Sequence, residues 1–179
     1  MYKTITKQTE MFVRDNAQEC VMSFIRKGNI LCDEAQIMLF DLPYPEEAIK
    51  AYIKKRFLCA EAENMLFQLP NPEEMLRIYI DNFPLCDEAE LKLFNLPSAK
   101  DLVEKYAGLY DLCEEAQIKL FELPNVEDIL KVYIQMYQLC NKAELKMLSL
   151  PNAREIVEIY TTYHYLCSKA EKKWQKMQQ

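Results

Sequence analysis

The sequence predicts an all-α fold, a right-handed α-solenoid of tandem 27-residue helix-turn-helix repeats, on three observations. Cys32, Cys59, Cys86, Cys113, Cys140 and Cys167 recur at one interval of 27 residues, only two glycines occur in the chain, and each interval carries two helix-start signals. A fixed period in the range of roughly 20 to 50 residues is the mark of stacked repeats. So few glycines leave little material for primed hairpin turns or phosphate-cradling loops.

Other columns keep the same step. Prolines stand at Pro43, Pro70, Pro97, Pro124 and Pro151, and tyrosines at Tyr52, Tyr79, Tyr106, Tyr133 and Tyr160. Alanines stand at Ala35, Ala62, Ala89, Ala116, Ala143 and Ala170. Five units follow, over residues 31–57, 58–84, 85–111, 112–138 and 139–165, with a truncated sixth at 166–179. Residues 1–30 lack the signature Cys, Pro and Tyr and read as a degenerate N-terminal cap.

The first helix of each unit, helix A, is expected over about Glu34 to Leu42. Asp33, Asp87, Asn141 and Ser168 are its candidate caps, and Gln36, Glu90, Glu144 and Glu171 stand three residues on in the capping-box spacing. The proline after each Leu-Pro junction ends that helix, because the residue before proline is driven out of the α region. Helix B is expected over about Pro45 to Arg56. Asn71, Ser98, Asn125 and Asn152 repeat the cap signal, and Pro45 and Pro72 sit just inside, where a missing amide proton costs nothing. Cys32, Ala35, Leu39 and Leu42 make a narrow apolar seam on helix A, and Ala48, Ile49, Tyr52 and Ile53 make one on helix B. Helices this short are marginal alone, so stacking must supply the stability.

This pattern of short paired helices resembles the α-solenoid repeats of the HEAT and tetratricopeptide kind over residues 31–179, and the fold class is what the resemblance implies. The 27-residue period and the LC-x-x-A-[EQ] and LP[NS] signatures differ from the motifs of those families, so no activity carries over.

Composition and spacing exclude most chemistry. One thiol per unit sets neighbouring sulfurs about 10 Å apart, whereas thiolates sharing a zinc lie near 4 Å, and a disulfide needs Cα atoms within about 7 Å. The cysteines are therefore expected as small buried hydrophobes, Cys20 included. The lone histidine, His164, falls in the column of Phe83, Tyr110 and Tyr137 and is expected as an aromatic substitute. No catalytic set, cofactor or metal site is expected, and no enzyme. The N-terminal residues lack a signal-peptide pattern and no apolar run matches a membrane span, which sets a cytoplasmic expectation with no membrane partner.

The expected function is that of a protein-interaction scaffold that holds another protein or peptide along its helical surface. Recognition is expected where columns vary while the framework holds: Lys54, Asp81, Gly108, Gln135 and Thr162 on helix B, and Lys92, Lys119, Lys146 and Lys173 on helix A, where the first units carry Met38 and Met65. Residues 31–140 hold 10 basic and 21 acidic side chains, a net of −11, while residues 141–179 sum to +3. The acidic middle disfavours nucleic acid along the whole array. The basic end, with Lys142, Lys146, Lys169, Lys172, Lys173 and Lys176 around Trp174, is the alternative place for it. Self-association through the truncated sixth unit is a third expectation.

Overall fold

Short amphipathic segments separated by prolines can form only short helices, and these are what the computed structural model shows. It describes residues 7–124 and 126–178, and among them every regular element is helical. The chain forms two compact bodies, Met1–Ala89 and Glu90–Gln179.

In the first body, α1 (Ala17–Arg26) precedes α2 (Asp33–Ile37), which tightens into a 3-10 turn at Met38–Asp41. Then come α3 (Pro45–Ile53), α4 (Ala60–Leu66) and α5 (Pro72–Ile80), with α6 (Asp87–Leu93) running past Ala89. Helix α2 packs on α4, and α3 lies between α1 and α5. The second body holds α7 (Ala99–Ala107), α8 (Glu114–Leu120), α9 (Val126–Tyr133), α10 (Asn141–Met147), α11 (Ala153–Tyr163) and α12 (Ser168–Met177). Here α10 lies between α8 and α12, and α9 between α7 and α11. In each body, then, first helices pack on first helices and second helices on second helices, in chain order.

The helices are shorter than the sequence suggests. The first gives up its α geometry before Leu42, which adopts an extended conformation (φ −67°, ψ 154°) because Pro43 follows. The second ends near its tyrosine, whose carbonyl accepts two amides in succession: Tyr52 O takes those of Lys55 and Arg56 at 3.0 Å, and Tyr79 O those of Asn82 and Phe83 at 2.9 Å. Gly28, at φ +79°, turns the chain out of α1 in a conformation that side chains rarely adopt.

Alanines 35, 62, 89, 116, 143 and 170 are fully buried, as are all five repeat tyrosines to within 1%. A methyl group at these alanine positions sets how closely the helices approach. The apolar residues around them, such as Leu39, Ile49, Leu76, Leu120 and Ile156, complete the core.

The capping expectation is corrected. Cys32, Cys59, Cys113, Cys140 and Cys167 are the N-cap residues, extended at φ −61° to −71°, while Asp33, Asn141 and Ser168 are already the first helical residues. None of these caps is closed by its own side chain. Nor do Asn71, Ser98 or Asn152 cap through their side chains; Asn152 Nδ2 donates instead to Glu127 at 2.6 Å. Asn125 lies outside the described residues.

The Glu/Gln column does not reach back to its own cap; it reaches forward to the next one. Glu63 Oε2 accepts the Cys86 amide at 2.7 Å, and its other oxygen accepts the Tyr79 hydroxyl at 2.6 Å. Glu90 does the same with Cys113 (2.8 Å) and Tyr106 (2.7 Å), and Glu144 with Cys167 (2.7 Å) and Tyr160 (2.9 Å). Gln36 and Gln117 accept the amides of Cys59 and Cys140, each at 2.6 Å. All five clasp residues are at most 5% exposed. Gln8 supplies the same clasp to Cys32 at 2.7 Å, so the degenerate cap keeps a function that its sequence hides.

Hydrogen-bond direction explains Asp111. Gln117 Nε2 donates to the Tyr133 hydroxyl at 3.2 Å, so that hydroxyl must send its own proton elsewhere, and it donates to Asp111. At the corresponding place beside Tyr79 the chain has Phe57. Substituting Glu63→Gln therefore keeps the Cys86 bond but orphans the Tyr79 proton, a loss of about 1–3 kcal/mol. Glu63→Ala, which strands both donors, is expected to cost at least twice as much in urea unfolding. Adding Phe57→Asp to Glu63→Gln is expected to recover part of the loss, and additive effects of the two changes would contradict this account.

Burial pushes the hydroxyl pKa of Tyr52, Tyr79, Tyr133 and Tyr160 upward, reinforced at Tyr79 and Tyr160 by the adjacent glutamates and at Tyr133 by Asp111. The folded state thus holds these protons beyond about pH 10, where the unfolded chain releases them. Their contribution is complete below that pH and falls above it, by about 1.4 kcal/mol per pH unit for each tyrosine. Unfolding free energy measured from pH 8 to 11 should drop steeply above pH 10, and Tyr79→Phe should make the drop shallower.

Candidate functional site

The clasps face inward, and the columns expected to carry recognition lie elsewhere on the helices and the turns that follow them. Lys54 and Asp81 are the C-cap residues of α3 and α5, Gln135 follows the end of α9, and Thr162 lies in the last turn of α11. All four are exposed. Gly108, at the same position after α7, is half-buried.

The lysine column is placed differently, since Lys92, Lys119, Lys146 and Lys173 are half-buried. Lys146 Nζ donates to the Ile118 carbonyl at 3.3 Å and lies 5.9 Å from the Phe121 ring centre. Lys173 Nζ donates to Leu145 O at 3.4 Å and Ser149 Oγ at 2.8 Å. Both ammonium groups meet late carbonyls of the preceding first helix, where a positive charge complements the helix dipole. These two lysines are therefore engaged within the fold.

Sequence reasoning missed an apolar ridge on the second helices of the Glu90–Gln179 body. Leu109, Val132, Met136 and Tyr163 are 47, 51, 48 and 55% exposed. Leu109, Met136 and Tyr163 occupy one column, the first two in the turns that follow α7 and α9 and the third at the end of α11, and Val132 lies one turn before Met136. Gln135 and Thr162 are their immediate neighbours in the chain. The signal was present in that column, which changes from Lys55 and Asn82 to three large apolar residues.

His164 takes the aromatic slot foreseen for it. Its ring lies 5.1 Å from that of Tyr160 at 39°, as Tyr110 lies 5.1 Å from Tyr106 and Tyr137 5.2 Å from Tyr133. Nε2 is 2.9 Å from the Ile134 carbonyl, which can only accept, so that nitrogen carries the proton. Trp174 is only 9% exposed, so its ring offers no face to a base.

The repeat thiols are half-buried rather than fully buried, because each belongs to a cap residue at the helix edge. Cys59 Sγ lies 3.9 Å from Asp33 O and Cys140 Sγ 4.0 Å from Glu114 O, each beside the first residue of the preceding first helix. Desolvation raises the thiol pKa of Cys32, Cys59 and Cys86. Among the described residues no group of three His, Cys, Asp or Glu side chains is arranged to hold a metal ion. Because only the thiolate reacts, Cys86 is expected to be alkylated by iodoacetamide at pH 7 several-fold more slowly than a free thiol. Peptide mass mapping over time measures this, and alkylation faster than free cysteine would assign the sulfur a reactive role.

Comparison with protein-family models, with curated proteins and with solved structures finds no match to this chain.

Proposed function

We propose that this chain is a non-enzymatic protein-binding platform, a right-handed α-solenoid of 27-residue units whose second helices present their outer faces to another protein or peptide. The ridge of Leu109, Val132, Met136 and Tyr163 carries the reading. Contiguous apolar residues of this size cost solvation free energy when left in water, and they mark contact surfaces when several share one face. Methionine and tyrosine are also enriched at the centres of protein interfaces. Exposed Gln135 and Thr162 give the ridge a polar margin.

Binding rather than catalysis is supported by how the reactive side chains are used: His164 is bonded to a carbonyl and the buried glutamates to tyrosines and amides. Seven unpaired cysteines favour a reducing, cytoplasmic setting. Among the described residues no helix is long and apolar enough to cross a membrane.

The test is affinity capture with the chain and a variant carrying Leu109→Glu, Met136→Glu and Tyr163→Glu. These side chains are 47–55% exposed, so the variant should melt within a few degrees of the parent while capture of its stoichiometric partner falls at least tenfold. A Lys27→Glu control at the exposed end of α1, in the other body, should capture normally. Full capture by the triple variant would rule out the ridge.

A further inference from the structure

We propose that α10 and α12 dock onto the acidic edge formed by α2 and α4 of a second copy of this chain. The observation is a sign change within one column. The second residue of the first helix is Glu34, Glu61, Glu88 and Glu115 in four successive units, then Lys142 and Lys169. Glutamate at that place complements the positive end of the helix dipole, and lysine opposes it. Local helix stability therefore explains the glutamates and leaves the lysines without a reason.

Nothing within the fold supplies that reason. Lys142, Lys169, Lys172 and Lys176 are exposed, and no ion pair or hydrogen bond joins their ammonium groups to the described residues. On the outer surface Arg26 pairs with Glu47, Lys50 with Glu74, Lys131 with Glu155 and Arg154 with Glu158, whereas no acid reaches these four lysines. The one acid on α12, Glu171, is half-buried and accepts from Gln175 at 2.9 Å. An open cleft between α10 and α12, lined by Lys142, Leu145, Cys167 and Lys169, adds an apolar floor between the two charges.

The complementary surface is on the same chain. Asp33, Glu34 and Glu61 are all exposed along the start of α2 and α4. Helix α2 packs on α4 as α10 packs on α12, so Glu34 and Glu61 are separated by one interhelix spacing, about 8–10 Å, as are Lys142 and Lys169. Two positive charges thus meet two negative charges at matched spacing. The match selects a second copy over nucleic acid, since the patch contains no arginine and its tryptophan is buried. The contact is heterologous, involving different patches on the two copies, and leaves the apolar ridge free.

Sedimentation equilibrium tests this. At about 0.01 M salt, where charges act over about 30 Å, the weight-average mass should rise above 21.2 kDa with protein concentration. At about 1 M salt, with charges screened within about 3 Å, it should return to the monomer value. The double variant Lys142→Glu, Lys169→Glu should stay monomeric at low salt, and its folding is secure because acids suit those helix starts. Mixing it with the variant Glu34→Lys, Glu61→Lys at low salt should restore association, since both acidic surfaces of the one then face basic surfaces of the other; a mixture that stays monomeric would contradict the proposed pairing. A parent chain that stays at 21.2 kDa overturns the proposal, as does association that the lysine reversal leaves intact or that requires added duplex DNA.

Discussion

The structure depends on a buried side chain that satisfies the first amide of the next helix pair. Extended cysteine caps leave their own N–H groups directed at the preceding helix, and a buried amide without a partner costs more than most single contacts contribute. Glu63, Glu90 and Glu144, with Gln8, Gln36 and Gln117 in the same role, remove that cost. Carboxylates can be held so far from water only because each also accepts a tyrosine hydroxyl. One interaction thereby fixes three things at once: the start of a helix, the depth of a tyrosine and the register of neighbouring units.

Much of this was legible in the chain. The all-helical fold was read correctly, and the alanine and tyrosine columns are core positions. The misassigned step was the clasp, because a Glu three residues past a small polar residue suits a capping box, and spacing alone cannot distinguish a bond back to its own cap from one 23 residues forward. Gln8 escaped for a simpler reason, since a strict 27-residue step from Gln36 lands on Thr9. The apolar ridge escaped because Leu109, Met136 and Tyr163 read as additional core in a helix that already has an apolar seam.

Charge follows the same division between inside and outside. Lys146 and Lys173 spend their positive charge on carbonyls of the preceding helix, which is why a column that varies in sequence is half-buried in the fold. Lys131 turns outward to Glu155, which raises its pKa through their hydrogen bond. Such exposed pairs contribute little individually.

Variation along a repeat array is therefore not a single signal. Asp111 differs from its counterparts because Gln117 reverses one hydrogen bond and the Tyr133 proton needs a new acceptor, so its variation records compensation inside the fold. Lys173 is held by Ser149, itself a variant residue of the preceding unit. Leu109, Met136 and Tyr163 vary together without any such internal counterpart, at positions where the chain gains nothing from an apolar side chain in water. Recognition in a repeat protein is best sought where variation, exposure and local cost coincide, and in the Glu90–Gln179 body those three criteria meet at Leu109, Met136 and Tyr163.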